Sequence, residues 1–154
     1  MSLQIQEVPS ANAPIALLLL ADPSEAKIHA YLPQSRCFVA HQGDSLVAAC
    51  AVQALADDAH ELMSIAVPED QHRRGYGSAL LRWVIDTYRR TGAQRLEVGT
   101  GSFGYQLAFY QRHGFRVTGI ARDFFVQHYP APIVEDGIQL RDMLRLTLLL
   151  QAPS

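Results

Sequence analysis

The segment Gln71-His72-Arg73-Arg74-Gly75-Tyr76-Gly77-Ser78 carries the residue types that bind phosphate. Two glycines let an anion approach the main chain, two arginines supply charged donors, and the run enters a strongly helical stretch whose first amides point outward. A pyrophosphate fits such a loop, although a tight turn with solvated arginines has the same letters. A second run, Gly99-Thr100-Gly101-Ser102-Phe103-Gly104, is a literal GxGxxG between a strand and a helix. Asp123 follows about twenty residues on, as the ribose-binding acid of a dinucleotide fold does. Against a nicotinamide-dependent enzyme, the chain after Gly104 is too short and too strand-like for the remaining βα units. Other chemistries lack their residues. Lys27 is the only lysine, Cys37 and Cys50 make no CxxC pair, and the histidines occur without HExxH or HxH. Neither a Walker-type ATPase nor a metal centre is expected.

The elements that must position the first loop follow from periodicity and punctuation. Leu3 to Val8 alternates as a half-buried strand, and the spacing predicts helices over Ala11 to Leu20 and Glu25 to Leu32, broken at Asp22-Pro23-Ser24 with Ser24 as a cap. Cys37 to His41 and Ser45 to Leu55 read as a hairpin about Gln42-Gly43-Asp44, and His60 to Val67 as a further strand ended by Pro68. From Gly75 to Thr91, Leu80, Leu81, Val84, Ile85 and Tyr88 recur at helical spacing, with Arg89 and Arg90 at the negative end of the dipole and Gly92 beyond. Arg95 to Val98 is a strand, Gly99 to Ser102 a turn and Phe103 to His113 a helix, which implies locally parallel strands. Phe115 to Val126 and Ile138 to Leu150 read as two long strands separated by Tyr129-Pro130-Ala131-Pro132, with Leu144, Leu146, Leu148 and Leu150 on one face. The expected fold class is α+β with a central mixed sheet.

Length and composition bound the rest. A chain of 154 residues, 49% hydrophobic and 18% charged, holds one well-buried core, so residues 1–154 are expected to be a single domain. A net charge of −2 argues against generic affinity for nucleic acid or anionic membrane. The start Met1-Ser2-Leu3-Gln4 lacks a basic leader region, and the apolar run Ala13 to Ala21 contains Pro14 and is shorter than a membrane span. The cytoplasm is the expected location.

On these residues the chain resembles the GNAT superfamily of N-acetyltransferases, whose signature is Gln or Arg, two residues, Gly, one residue, then Gly or Ala. Gly75 and Gly77 match, whereas His72 stands at the Gln/Arg position with Gln71 one place early. The resemblance continues through Ile65-Ala66-Val67-Pro68 and through Leu107-Ala108-Phe109-Tyr110-Gln111-Arg112-His113-Gly114-Phe115, which is similar to the family's other recurrent segment. It implies a three-layer fold with a mixed, mostly antiparallel sheet flanked by helices. It implies acetyl-CoA as acyl donor, with pyrophosphate against His72, Arg73, Arg74, Gly75, Tyr76, Gly77 and Ser78, and the pantetheine arm along Ile65, Ala66 and Val67 as an added strand. Tyr110 resembles the family tyrosine that hydrogen-bonds or protonates the CoA sulfur, and Glu61 the glutamate that serves some members as general base. By strand parity Glu61 shares a face with Met63, Ile65 and Val67 unless a bulge intervenes.

The resemblance implies direct attack of a primary amine, on a small molecule or a peptide, in a ternary complex, while the scattered histidines and the net charge already argue against a metal, a nucleic acid or a membrane partner. It does not choose the acceptor. Asp123-Phe124-Phe125 and His128-Tyr129 could bind a cationic or aromatic amine, or serve as core and turn residues. Together with Arg141-Asp142-Met143 this tail resembles a bacterial subgroup of the family with no assigned substrate. A non-catalytic acyl-CoA sensor would share the fold and the loop, and dimerisation through sheet edges is an open expectation.

Overall fold

The structure is a computed structural model, and it describes residues 3–151. The reading of the leader at Met1 and Ser2 lies outside the described residues. Within them, seven strands form one sheet in the order β1-β2-β3-β4-β5-β9-β6. These are β1 (Leu3–Val8), β2 (Ser35–Gln42), β3 (Ser45–Ala54), β4 (Ala59–Ala66), β5 (Arg95–Gly101), β6 (Arg116–Ala121) and β9 (Met143–Leu149). A small hairpin of β7 (Val134–Glu135) and β8 (Ile138–Gln139) stands apart. All pairings in the large sheet are antiparallel except β4 with β5, as the strand-helix-strand pattern requires.

Helices lie on both faces. On one side α3 (Tyr76–Arg90) and α4 (Tyr105–Arg112) bury Leu80, Leu81, Val84, Ile85, Phe109 and Tyr110 against Phe38, Leu62, Leu96 and Leu146. On the other, α1 (Ile15–Leu18) and α2 (Glu25–Tyr31) close a second core with Leu18, Ile28, Val39 and Ala51. The predicted face of β9 is right: Leu146 and Leu150 are buried and Leu144 and Leu148 pack beside them. Burying side chains of this size is worth about 1.5–3 kcal/mol each, so these two stripes fix which face each strand presents.

Four expectations are corrected. The helix over Ala11 to Leu20 is only a 3-10 turn at Ser10–Asn12 and the short α1, because Ala13, held extended ahead of Pro14, separates the two. The strand predicted to Val126 stops at Ala121, since Asp123 takes a left-handed φ of 61° and starts α5 (Phe124–Gln127). The strand predicted from Ile138 is split: Ile138 and Gln139 turn back on Val134 and Glu135 through Asp136 and Gly137, at φ 52° and 76°, residues 140–142 belong to no strand, and β9 begins only at Met143. Gly99 and Gly101 are not in a turn: they belong to β5, opposite Arg145 and Met143 of β9.

Candidate active site

The conformation of the basic loop follows from its glycines and its proline. Pro68 ends β4, a 3-10 turn spans Glu69–Gln71, and Arg73 and Gly75 then take left-handed φ values of 66° and 81°. Such a left-handed sequence leading into a helix turns successive amides toward one point, which is the geometry of an anion nest. Gly75 caps α3 without any side-chain hydrogen bond, and a Cβ built there meets nothing within 4 Å. The first amides of α3 are therefore left to a ligand or solvent. Gly77 differs, because its φ is ordinary and a Cβ there lies 3.4 Å from Val67 Cγ2 and 3.7 Å from Phe109 Cζ, so Ala also fits.

His72 stands where the sequence pattern has Gln or Arg, and its ring has a task the sequence did not reveal. Nε2 lies 2.9 Å from the Val67 carbonyl; a carbonyl only accepts, so Nε2 carries the proton and donates, tying the loop to the end of β4. His113 Nε2 and Ser78 Oγ, 3.2 Å apart, link α4 to the start of α3. Burial, with Arg82 and Arg112 adding, pushes the His113 imidazole below its ordinary value, so that ring is neutral at neutral pH.

Beyond Leu62, β4 loses its neighbour. Its pairing with β5 ends at Leu62↔Val98, while β5 continues along β9 to Gly101↔Met143 and β4 along β3 to Ala66↔Ala49. The sheet splits there, and one edge of β4 offers its main chain to an extended ligand. A cavity of about 440 Å³ lies in this region. Of the residues expected at the cofactor, Ile65, Ala66, Val67, His72, Arg73, Gly75, Tyr76, Gly77 and Ser78 line it; Arg74 does not and is exposed. Gln71, one place ahead of the family position, lines it as well, together with Leu20, Ala21, Glu69, Tyr105, Gln106 and Phe109, none of which was among the expected cofactor residues. The local signal was the Tyr105–Phe109 pair one helical turn apart on α4, whose rings stack with centroids 6.2 Å apart.

Tyr110 lines the same cavity, 5% exposed, with Phe109 and Phe115 edge-on at 5.4 and 5.8 Å. Burial, with Cys50 adding, pushes its hydroxyl well above the usual tyrosine value, so the group is a neutral donor at neutral pH.

Glu61 is not among the lining residues, and its face is the fifth correction. Ala51 pairs with Ser64 but Val52 with Leu62, so Met63 is an extra residue in β4 and the alternation inverts there. Leu62 and Ile65 pack on the α3 side, Met63 and Ala66 on the α1–α2 side, and Ser64 Oγ accepts from Tyr31 Oη at 3.0 Å. Glu61 shares its face with Met63 but not with Ile65 or Val67. Its Oε2 accepts from Arg145 Nη1 at 3.0 Å, and Arg145 Nη2 reaches Glu97 Oε1 at 3.3 Å. Glu97 is also held by Arg95 Nε at 2.8 Å. Hydrogen bonding from Arg95, with help from Arg145 and against burial, holds the Glu97 carboxyl below its ordinary value.

A split sheet, an uncapped helix start and a buried tyrosine on one cavity define a class of protein, and comparison with known proteins agrees. A family model described as an acetyltransferase (GNAT) domain matches residues 33–117. YvbK of Bacillus subtilis strain 168, an N-acetyltransferase described as uncharacterized, is 41% identical over 133 residues, 86% of either chain. A GNAT family acetyltransferase from Elizabethkingia anophelis with acetyl-CoA bound has a TM-score of 0.90 at 34% identity, covering 96% of this chain and 97% of its own. A Bacillus subtilis acetyltransferase in complex with CoA has a TM-score of 0.90 at 38% identity, covering 97% and 100%. The chain belongs to the GNAT N-acetyltransferases. Its large sheet, with helices on both faces, is the architecture of those relatives. Among the described residues no helix is long and apolar enough to cross a membrane.

Proposed function

We propose that residues 1–154 form one cytoplasmic N-acetyltransferase domain that moves an acetyl group from acetyl-CoA to a primary amine by direct attack in a ternary complex. The observation that carries this reading is the continuity of one cavity from the uncapped start of α3, along the unpaired edge of β4, to Tyr110. Pyrophosphate lies against the amides of residues 72–78, with Arg73 and Arg74 as exposed countercharge. Ile65, Ala66 and Val67 hold the amide-bearing pantetheine arm as an added strand.

In the reaction the free amine attacks the thioester carbonyl, the carbonyl oxygen gathers negative charge against main-chain donors near Ile65 or Ala66, and the C–S bond breaks. Tyr110 donates a hydrogen bond to the departing sulfur. Because burial raises the phenol, outright proton transfer to a thiolate is uphill, and the hydroxyl acts chiefly by stabilising that charge. Glu61 removes the amine proton through a water on its own face of β4.

Thermal unfolding with acetyl-CoA, CoA, NAD and NADH side by side tests the reading. A ligand at a hundred times its Kd adds about 2.7 kcal/mol, several degrees for a domain of this size. The CoA ligands alone are expected to stabilise, and stabilisation by NAD or NADH instead overturns the assignment. Thiol release with tyramine, spermidine and an unblocked peptide then separates an enzyme from an acyl-CoA sensor.

A further inference from the structure

Glu61 and Glu97 stand directly opposite each other where β4 and β5 run parallel, so two carboxylates meet on one face of the sheet. Left alone, such a pair repels, and neither group has a fixed direction. Between them reaches Arg145 of β9, a strand that does not pair with β4. Its own pairing partner on β5 is Gly99, and the guanidinium passes over that glycine to reach Glu61. Gly99 has no need of a special backbone angle. Its need is space: a Cβ there falls 2.9 Å from Arg145 Nη1 and collides with Met143 Sδ.

From this we infer that Arg145 is the positioning residue for Glu61, clamping one oxygen of the carboxylate so that the other is presented to the acceptor, and that Gly99 is the gap through which it crosses β5. The charged groups facing Glu61 are Arg145 and, through it, Glu97 with Arg95, while β3 sets Gln53 opposite it. Glu61 has no further hydrogen bond or ion pair from the α1–α2 side among the described residues. The inference rests on the reading of Glu61 as base.

The test compares E61Q, R145M, R145K, G99A and the E61Q/R145M double variant, using acetyl-CoA with tyramine, spermidine and an unblocked peptide. G99A is the informative member. The atoms it displaces are ends of flexible side chains, so it is expected to fold and to keep the arginine while pushing Nη1, the atom that bonds Glu61, out of its place. R145M and G99A are each expected to lower turnover about tenfold with the acetyl-CoA KM unchanged, as coupled neighbours do. R145K recovers part of the loss, because an ammonium satisfies one carboxylate at a time. In the E61Q background R145M costs little more. Unchanged turnover in R145M, or a full further loss in the double variant, overturns the inference and leaves the acetyltransferase reading intact. Unchanged turnover in E61Q removes the base itself. The same cycle in melting temperature, which needs no acceptor, is expected to be non-additive, and strict additivity also overturns the proposal.

Discussion

The loop at residues 72–78 and the row Glu61–Arg145–Glu97 are built by different means. The loop works through its main chain: Arg73 and Gly75 contribute backbone angles, and the uncapped start of α3 contributes amides. The row works through side chains alone, brought from three strands, with a glycine supplying nothing but room. A main-chain site tolerates side-chain change and is destroyed by a wrong angle, whereas a side-chain site has the opposite sensitivities. Tyr110 belongs with the second kind.

The sharpest contrast comes from Tyr110→Phe, which keeps the ring and removes the donor. A hydrogen bond to a charged group is worth about 1.5–3 kcal/mol, so turnover is expected to fall about ten- to a hundredfold, with acetyl-CoA affinity little changed by calorimetry. Equal turnover in wild type and variant would remove Tyr110 from the mechanism. Next comes Gly75→Ala. Its Cβ meets nothing, but the left-handed angle costs about 1–2 kcal/mol, so acetyl-CoA is expected to bind about tenfold more weakly and the melting temperature to drop. If binding survives, the nest geometry is not what holds the ligand.

A smaller effect belongs to Glu97. Its carboxyl lies below its ordinary value, so the fold favours the ionised form, and that stability is present above the unfolded value and lost as pH falls through the lower folded one. With the side chain 22% exposed, the contribution is on the order of 1 kcal/mol or less. Glu97→Gln is expected to flatten the fall in melting temperature below about pH 5, and an unchanged acid limb would show that the pair adds nothing. The smallest effect is Gly77→Ala, whose methyl group finds ordinary contact with Val67 and Phe109; acetyl-CoA binding is expected to change less than about twofold. A large loss there would mean that the ligand lies against that Cα.

These contrasts track what was legible in the sequence. The strands to Val67 and helix α3 follow from periodicity because burial decides them locally, and the basic loop declares itself by glycines at fixed spacing beside a helix start. The C-terminal third misled because its apolar runs look continuous, although Asp136-Gly137 is the local letter pair for a hairpin turn. Asp123 gives a weaker signal of the same kind. Gly99 and Gly101 resembled a nucleotide loop, yet one makes room for Arg145 and Met143 and the other for Leu140 Cδ2, 2.7 Å from where a Cβ would be. Arg145 was invisible beside Glu61 because 84 positions separate them and the contact crosses an intervening strand. The face of Glu61 depended on a bulge with no marker of its own in the sequence.

That extra residue at Met63 makes β4 two half-strands of opposite phase, each still sending alternate side chains to both sides of the sheet. A chain shortened by this single position would retain every other side chain and lose the phase. Either His60 and Glu61 would exchange sides or Ile65 and Ala66 would, and no point substitution would put them back. For any protein assembled on this pattern, the length of β4 is as much a chemical constraint as the identity of the residues in it.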